Sequence, residues 1–232
     1  MNLLLLLLLQ AGPARADLAA ALATAADAEL SESARMSAFD ALVEQGYGEE
    51  LIRLAEAPDL DARQRYVAIR ALGRVNSPPA VDALVRLLSD DVSGLRGAAA
   101  AALAEGQHRE HAEKIAALLK DSATIVRGAA ADALVVLADP AVVPALVVAL
   151  DDPSNHYRGT SLWVRRHFVA ALGATKDRSA LPALIRCLDD ADAEVVDAAL
   201  AALPLVSGAS WADGRDRQEQ IEAWRRWWEN QQ

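Results

Sequence analysis

A period of 31 residues runs through most of the sequence, and it limits the possible folds more than any other feature. Six positions anchor the copies: Arg35, Arg65, Arg96, Arg127, Arg165 and Val196. The steps between them are 30, 31, 31, 38 and 31 residues. In every copy an alanine follows the anchor after six residues and a leucine after seven. Repetition at a period of roughly 20–50 residues is typical of solenoids and related arrays.

Each copy has the pattern of two helices joined by a turn. Offsets of three, six and seven residues lie on one face of an α-helix, and alanine there lets neighbouring helices approach closely. A second apolar stripe follows in four copies: Val81, Leu84, Val85 and Leu88; Ala112, Ile115, Ala116 and Leu119; Val143, Leu146, Val147 and Leu150; Leu181, Leu184, Ile185 and Leu188. Breakers at residues 73–79, 106, 139–140 and 173–177 are expected to separate the two helices. Since neither helix buries its stripe alone, we predict an all-α fold, a right-handed α-solenoid of about six helix pairs.

The anchor arginines recur together with aspartates. One aspartate lies six residues before each of four anchors, and another precedes Arg165 on the far side of an insertion: Asp59, Asp90, Asp121, Asp190 and Asp152. Such an aspartate can cap the next helix and accept hydrogen bonds from an arginine, which would form a ladder along the stack. Because the combination recurs at every joint, we interpret it as architecture rather than as a ligand site.

Three segments carry a resemblance to a known family: YVAIRALGRVNSPPAVDALVRLLSDD, VRGAAADALVVLADPAVVPALVVALDD and VRRHFVAALGATKDRSALPALIRCLDD. They resemble HEAT repeats of the short, bacterial, phycobilin-lyase-like type, and the resemblance covers about residues 31–206. The tetratricopeptide and ankyrin signatures do not appear. The resemblance implies a curved superhelix that binds a partner, usually a protein, although a shared fold does not by itself establish function.

The composition excludes several classes of protein. The net charge is −10, and such a field repels phosphate backbones, so no nucleic acid is expected as a partner. The single cysteine, Cys187, excludes an internal disulfide framework and a thiolate zinc cluster, and we expect it in the core. The sequence contains no glycine-rich phosphate loop and no serine or cysteine nucleophile motif. We therefore predict no catalytic residue, no cofactor and no metal ligand.

Both ends of the chain depart from the repeat. Residues 1–16 contain a run of seven leucines followed by Ala-Arg-Ala, the pattern of an export signal, although no basic residue precedes the run. This predicts a periplasmic or otherwise exported protein without stable membrane insertion after cleavage; the alternative is a cytoplasmic protein. Residues 17–30 and 207–232 are expected to be capping helices around the repeats at 31–206. The C-terminal cap has a tryptophan-rich stripe: Ile221, Trp224, Trp227 and Trp228.

Two regions are candidates for partner binding. The second helices should line the concave face, and their outward positions carry the first set of candidate residues: Asp82, Arg86, Glu113, Val148 and Arg186. The seven-residue excess between Arg127 and Arg165 falls at residues 153–163, and loops on rigid scaffolds often carry binding residues. It contains the second set: His156, Tyr157, Arg158 and Trp163. Whether the concave face or the loop binds the partner stays open, as does a purely structural insertion with Trp163 packed on the stack.

These observations predict a non-enzymatic scaffold or adaptor. An apolar groove with charged flanks suits a protein or peptide partner better than a nucleic acid. The competing hypothesis is a lyase or chaperone for a bilin-like small ligand, because the repeats resemble those of bilin lyases. No single residue of the sequence can be assigned to bilin contact or to catalysis.

Overall fold

The computed structural model describes residues 13–44, 48–209 and 216–231. The chain divides into two compact units, Met1–Gln107 (unit 1) and His108–Gln232 (unit 2), which are described separately. Residues 1–12, most of the predicted export signal, lie outside the described ranges. None of the described helices is both long and apolar enough to cross a membrane.

Unit 1 consists of stacked helices. Within its described ranges the helices are α1 (Pro13–Ala26), α2 (Glu32–Glu44), α3 (Gly48–Glu56), α4 (Ala62–Val75), α5 (Pro78–Leu87) and α6 (Ser93–Glu105). The first helices of successive copies, α2, α4 and α6, pack side by side, and the second helices α3 and α5 form a neighbouring row. Helix α1 packs on α2 and α4, where it buries Leu18 and Leu22 completely.

Unit 2 has the same kind of arrangement. The structure describes seven α-helices in it: α7 (Ala112–Ala117), α8 (Thr124–Leu137), α9 (Val143–Asp151), α10 (Val164–Thr175), α11 (Leu181–Arg186), α12 (Ala193–Ser207) and α13 (Arg217–Glu229). Short 3₁₀ turns extend the second helices: Arg109–His111, Leu118–Lys120, Pro140–Val142, Arg178–Ala180 and Cys187–Asp189. One further 3₁₀ turn, Pro153–Asn155, precedes two short strands, β1 (His156–Tyr157) and β2 (Thr160–Ser161). Helices α8, α10 and α12 pack in one row, and α13 packs on α11 in the other.

The core lies where the repeat pattern predicts it. The leucine seven residues after each anchor has no exposed surface in any copy: Leu42, Leu72, Leu103, Leu134, Leu172 and Leu203. The alanines six residues after the anchor are buried in five copies, and Ala41 of the first copy is half-buried. In the second helices the stripe is buried except for Val85, Val147 and Ile185, which are half-buried. The predicted all-α solenoid of stacked helix pairs is therefore confirmed.

Two glycines predicted to break helices instead bring helices together. Gly73 and Gly173 lie inside α4 and α10, whose last turns end at Asn76 and Lys176 with positive φ angles of 50° and 54°. A Cβ atom on Gly73 would lie 2.8 Å from the Cβ atom of Ala102, and one on Gly173 would lie 2.6 Å from that of Ala202. The absent side chains allow adjacent first helices to touch at these points, which the prediction of breakers missed.

The arginine ladder exists, with a different pairing from the one expected. Arg65 and Arg165 are buried, and each forms an ion pair with the aspartate 25 residues later, Asp90 and Asp190. The aspartate thus binds the arginine of the preceding copy. Each aspartate also accepts a hydrogen bond from the backbone N–H two residues on, in the turn before the helix rather than at its N-cap. Side chains that span two copies fix the stacking distance between them.

Arginine contacts within one copy run to backbone carbonyls. Arg96 donates to the carbonyl oxygen of Asp90 at 2.8 Å, and Arg127 donates to that of Asp121 at 2.7 Å, six residues upstream in each case. The guanidinium group therefore closes the turn before its own helix. A buried guanidinium group carries five N–H donors, so it needs several acceptors, and these backbone carbonyls supply some of them. The ladder is structural, as its recurrence indicated.

Candidate functional site

The insertion at residues 153–163 folds into a small antiparallel β-hairpin in unit 2. Its register pairs His156 with Ser161 and Tyr157 with Thr160. The two-residue turn consists of Arg158 and Gly159, with φ angles of 51° and 81°. Positive φ at both positions is the geometry of the tight turns that match the twist of a hairpin, and glycine at the second position adopts it without steric cost. The insertion is thus a defined structure attached to the stack.

Both legs of the hairpin enter the arginine ladder. On the first leg, Asn155 is 1% exposed; its Oδ1 accepts from Arg127 Nε at 2.8 Å and its Nδ2 donates to the carbonyl of Ala149 at 2.8 Å. On the second leg, the Ser161 hydroxyl donates to Asp190 Oδ1 at 2.8 Å. These bonds replace part of the regular ladder, so the hairpin is fastened at both ends to buried polar groups.

The tip of the hairpin presents an aromatic ring and a cation. Tyr157 is 63% exposed, and the guanidinium carbon of Arg158 lies 5.2 Å from the centre of its ring, a cation–π distance. His156 is half-buried and faces the base of the hairpin, where its Nδ1 lies 3.3 Å from the carbonyl oxygen of Asp152. Of the predicted loop residues, Tyr157 and Arg158 are therefore the ones fully available at the surface.

Trp163 combines an exposed edge with contacts to the stack. It precedes α10 and is 41% exposed, while its ring lies over Gly128 of α8. The ring of His167 meets the Trp163 ring edge-on at a centroid distance of 5.1 Å, and His167 Nδ1 lies 2.6 Å from Asp132 Oδ1. Trp163 is thus seated between two first helices with one edge left for solvent.

The contact between the Trp163 ring and Gly128 gives a testable prediction. A Cβ atom there would lie 2.5 Å from Cη2 of Trp163, so Gly128→Ala should displace the indole ring outward. We expect a red shift of the Trp163 fluorescence and a loss of roughly 1–2 kcal/mol in the free energy of unfolding. Subtracting the spectrum of a Trp163→Phe variant isolates the emission of Trp163 from that of the other four tryptophans, both with glycine and with alanine at position 128. If the Trp163 emission is the same with glycine and with alanine, the contact between Gly128 and Trp163 is contradicted.

The second-helix face of unit 2 forms a shallow, mainly apolar groove. Its volume is about 400 Å³, and it lies between α7 with its following turn and the start of α9. The lining residues are Glu113, Ala116, Ala117, Lys120, Ala141, Val142, Pro144 and Ala145. Small side chains form its floor, and Glu113 and Lys120 supply one charge of each sign. Further along α9, Val148 is 52% exposed, so apolar surface continues beyond the groove.

The predicted arginines of the second-helix face already have partners. In unit 1, Arg86 forms an ion pair of 2.7 Å with Glu56, while Asp82 is exposed on the same helix. In unit 2, Arg186 forms an ion pair of 3.0 Å with Asp151. Both pairs join one second helix to the preceding one, and both are more than half exposed on the arginine side. Surface pairs of this kind are weak, so a ligand carboxylate can compete for either guanidinium.

The seven predicted binding residues of unit 2 are divided between the second-helix face and the hairpin. Glu113 lines the groove of unit 2, whereas Val148 and Arg186 lie on neighbouring second helices outside it. The hairpin residues line none of that groove. Four residues that position the hairpin and Trp163 were not predicted from the sequence: Asn155, Ser161, Gly128 and Asp132. Asn155 and Ser161 lie in the insertion, which breaks the repeat register, so no periodic signal pointed to them.

The pKa values of Cys187 and Asp152 in unit 2 are shifted by their surroundings. Burial raises the pKa of the Cys187 thiol to about 12, so the thiol stays protonated at neutral pH. Hydrogen bonds from the hydroxyl and the N–H of Ser154 hold the pKa of Asp152 below its ordinary value. Within the described ranges, no group of three or more histidine, cysteine, aspartate or glutamate side chains could hold a metal ion.

Comparison with known proteins matches this architecture to a family. Residues 48–107 and 93–163 match the model for HEAT repeats, and residues 164–190 match the model for the PBS lyase HEAT-like repeat. No curated protein matches the chain.

Solved structures give the same result. A chain in the complex of CpcE and CpcF of phycocyanin lyase from Nostoc sp. PCC7120 is 28% identical, with a TM-score of 0.61 over 70% of this chain and 65% of that one. An engineered protein is 23% identical, with a TM-score of 0.56 over 91% and 99% of the two chains, and Kap121p is 17% identical, with a TM-score of 0.58 over 84% and 26%. The last two show a shared fold. The match to the phycocyanin lyase chain spans less than two thirds of its length.

Proposed function

Because the chain belongs to the HEAT-repeat family, we propose that it is a scaffold that binds a protein or peptide partner. Unit 2 supplies the binding surfaces: the hairpin at residues 153–163 and the second-helix face that carries Glu113, Val148 and Arg186. Asp82 and Arg86 of unit 1 supply a corresponding polar surface. The partner contacts preformed groups, so little ordering accompanies binding.

The anchored hairpin is the observation that carries this proposal. Extra residues that are merely tolerated do not need buried hydrogen bonds to the stack. Here Asn155 accepts from Arg127 on the first leg, and Ser161 donates to Asp190 on the second. These bonds hold Tyr157, Arg158 and the edge of Trp163 at the surface. Tyrosine, tryptophan and arginine are the residue types that dominate binding energy at protein interfaces. A rigid hairpin with three such side chains is suited to recognition.

The second-helix groove supports a peptide-like partner. Its floor of alanine, valine and proline offers apolar surface, and Glu113 and Lys120 at its edges can fix the direction of a bound segment. Protein interfaces combine such an apolar centre with a polar rim. The net charge of −10 disfavours a nucleic-acid partner at any of these surfaces.

Site-specific photo-crosslinking tests the proposal. A benzophenone amino acid replaces Tyr157 or Val148, and a third variant carries it at Val136, which is 49% exposed on the first-helix side of unit 2. We expect one and the same protein to be crosslinked from positions 157 and 148 and not from position 136. Identical products from all three positions, or products from position 136 alone, would remove the proposal.

A second candidate function is a lyase or chaperone for a bilin-like ligand. It is supported by the match of residues 164–190 to the PBS lyase HEAT-like repeat and by the 28% identity to a chain of a phycocyanin lyase complex. The two functions differ in a direct measurement. If purified protein mixed with a linear tetrapyrrole keeps a coloured, spectrally shifted ligand through gel filtration, the second function replaces the first; a colourless protein leaves the scaffold proposal in place.

A further inference from the structure

Unit 1 has two open grooves on the first-helix side, and none of their lining residues belongs to the surfaces assigned above. The larger, of about 490 Å³, lies at the beginnings of α2, α4 and α6 and is lined in part by Ala25, Arg35 and Arg63. The smaller, of about 260 Å³, lies between α2 and α4. Tyr66 and Val67 line both, so the two grooves adjoin along α4.

Each groove is lined by an arginine whose Nε atom is buried and has no hydrogen-bond partner. Across the described ranges, two buried side-chain nitrogen or oxygen atoms have no hydrogen-bond partner, and they are Arg35 Nε and Arg70 Nε. Arg35 lines the larger groove and Arg70 the smaller. A buried donor without an acceptor costs free energy, and the cost is recovered when a ligand supplies the acceptor. Both unsatisfied donors of the described chain therefore belong to one continuous surface.

The repeat shows what Arg35 lacks. In the next copy, Arg65 Nε donates to the carbonyl of Ala55, ten residues earlier, at 2.8 Å. Arg165 Nε likewise donates to the carbonyl of Leu150 at 3.1 Å. Ala25 holds the place of Ala55 ten residues before Arg35, but it lines the open groove and accepts no hydrogen bond from Arg35 Nε. The first copy thus has an arginine anchor with an open groove in place of its acceptor.

The lining of both grooves is basic and apolar. It contains four arginines and no carboxylate, in a chain whose net charge is −10: Arg35, Arg63, Arg70 and Arg74. Of these, Arg70 forms an ion pair with Glu105, which lies outside the lining of both grooves. Between the arginines lie large apolar side chains with free surface: Met36 is 52% exposed, Tyr66 43% and Val92 40%. An occupant that complements this surface carries carboxylates next to apolar side chains.

We propose that the two grooves together bind an acidic, amphipathic peptide segment of a protein partner. One carboxylate of the segment accepts from Arg35 and Arg63, a second competes with Glu105 for the guanidinium of Arg70, and apolar side chains between them pack on Tyr66 and Val67. Carboxylate–guanidinium bonds are charge-assisted and directional, so they set the register of the segment. This surface is separate from the hairpin and groove of unit 2, and its test is independent of theirs.

Peptide display on the full chain provides the test. Random twelve-residue peptides are selected on the immobilised protein, with counter-selection on the double variant Arg35→Gln/Tyr66→Ser, which discards peptides bound elsewhere. We expect the retained peptides to have aspartate or glutamate on both sides of leucine or aromatic residues. The absence of any peptide that distinguishes the two proteins, or a retained consensus without acidic residues, overturns the proposal.

Titration of one retained peptide then assigns the contacts. By fluorescence anisotropy we expect Arg35→Gln and Arg70→Gln each to weaken binding about tenfold, and added salt to weaken it further. The matched control is Arg53→Gln, an arginine of unit 1 whose side chain is 63% exposed and lies outside both grooves. A peptide with asparagine and glutamine in place of its acids should not bind. Equal loss in Arg53→Gln, or full binding of the neutral peptide, overturns the assignment.

Two further measurements distinguish peptide binding from a folding defect and from a dimer interface. The binding of Arg35→Gln is measured well below its melting temperature, and a binding loss that merely follows unfolding would contradict the proposal. Light scattering detects a second copy of the chain as occupant. A wild-type dimer that becomes a monomer in Arg35→Gln would show that another copy, and not an acidic partner segment, fills the grooves.

Discussion

Replacing Asp190 by alanine is expected to lower the free energy of unfolding by about 3–5 kcal/mol. Its carboxylate is paired with Arg165, both side chains are about nine-tenths buried, and the same carboxylate accepts from the Ser161 hydroxyl. Removal leaves a buried guanidinium without its counter-charge, and that loss accounts for most of the effect. Urea denaturation followed by circular dichroism measures the change.

Asp151→Ala is the matched control for this prediction. Its carboxylate also pairs with an arginine, Arg186, but both side chains are more than half exposed. Exposed pairs of this kind contribute less than about 1 kcal/mol. If Asp190→Ala costs no more than Asp151→Ala, the ladder does not stabilise the stack and the structural interpretation of the buried arginines is wrong.

The Asp190 carboxyl also makes stability depend on pH. Burial opposes its ionisation, but hydrogen bonds from the Asp192 N–H, the Ser161 hydroxyl and Arg165, together with the positive charge of Arg165, outweigh burial. They hold the pKa of Asp190 below its ordinary value of 3.8. A carboxyl whose pKa is lowered by folding stabilises the protein above its unfolded pKa, and the contribution is lost as the pH falls through the folded value. The stability gap between wild type and Asp190→Asn should therefore be constant at neutral pH and shrink below pH 3.8.

The second large effect is expected from Ala202→Glu, at about 3 kcal/mol or more. Ala202 is 2% exposed and faces Gly173 of the adjacent helix, where even one methyl group on the glycine would clash. A carboxylate at this contact must either be buried without a partner or push α10 and α12 apart. Chemical denaturation at neutral pH measures the loss.

The neighbouring residue provides the comparison for Ala202→Glu. Ala201 lies on the same helix and is exposed, so Ala201→Glu has the same change in charge and nearly the same helix propensity. We expect it to alter the free energy of unfolding by less than about 0.5 kcal/mol. Similar losses in both variants would mean that the face assignment along α12 is wrong.

The repeat predicted the fold because the same few offsets recur in every copy. Six leucines at one offset are all fully buried, and the outward positions of the second helices are exposed as expected. Each helix pair packs mainly on its neighbours in the stack, and the same packing residues recur in six copies of the repeat. Gly73 and Gly173 were predicted to end helices because glycine often does so. Between two closely packed helices, however, glycine is the residue that fits, since it has no side chain.

The candidate site was less predictable, since its contacts join residues far apart in the sequence. The spacing of arginine and aspartate within a copy was visible, but the pairing with the next copy depends on how far one pair of helices is displaced from another. The hairpin has no counterpart in the other copies, so Asn155 had no periodic equivalent that would reveal its burial. Arg35 matched the other anchors in sequence, and its missing acceptor appeared only in three dimensions.

The two legs of the hairpin differ in a way that matters under acid conditions. The amide oxygen of Asn155 accepts a hydrogen bond from Arg127, and the charge of an amide does not change with pH. The Ser161 hydroxyl instead donates to the carboxylate of Asp190, which takes up a proton in acid. Acidification should therefore weaken the link between the second strand and Asp190, because a neutral carboxyl is a weaker acceptor than a carboxylate, while the bond between Asn155 and Arg127 keeps its strength. Recognition through this tip should then be weaker in acid than at neutral pH.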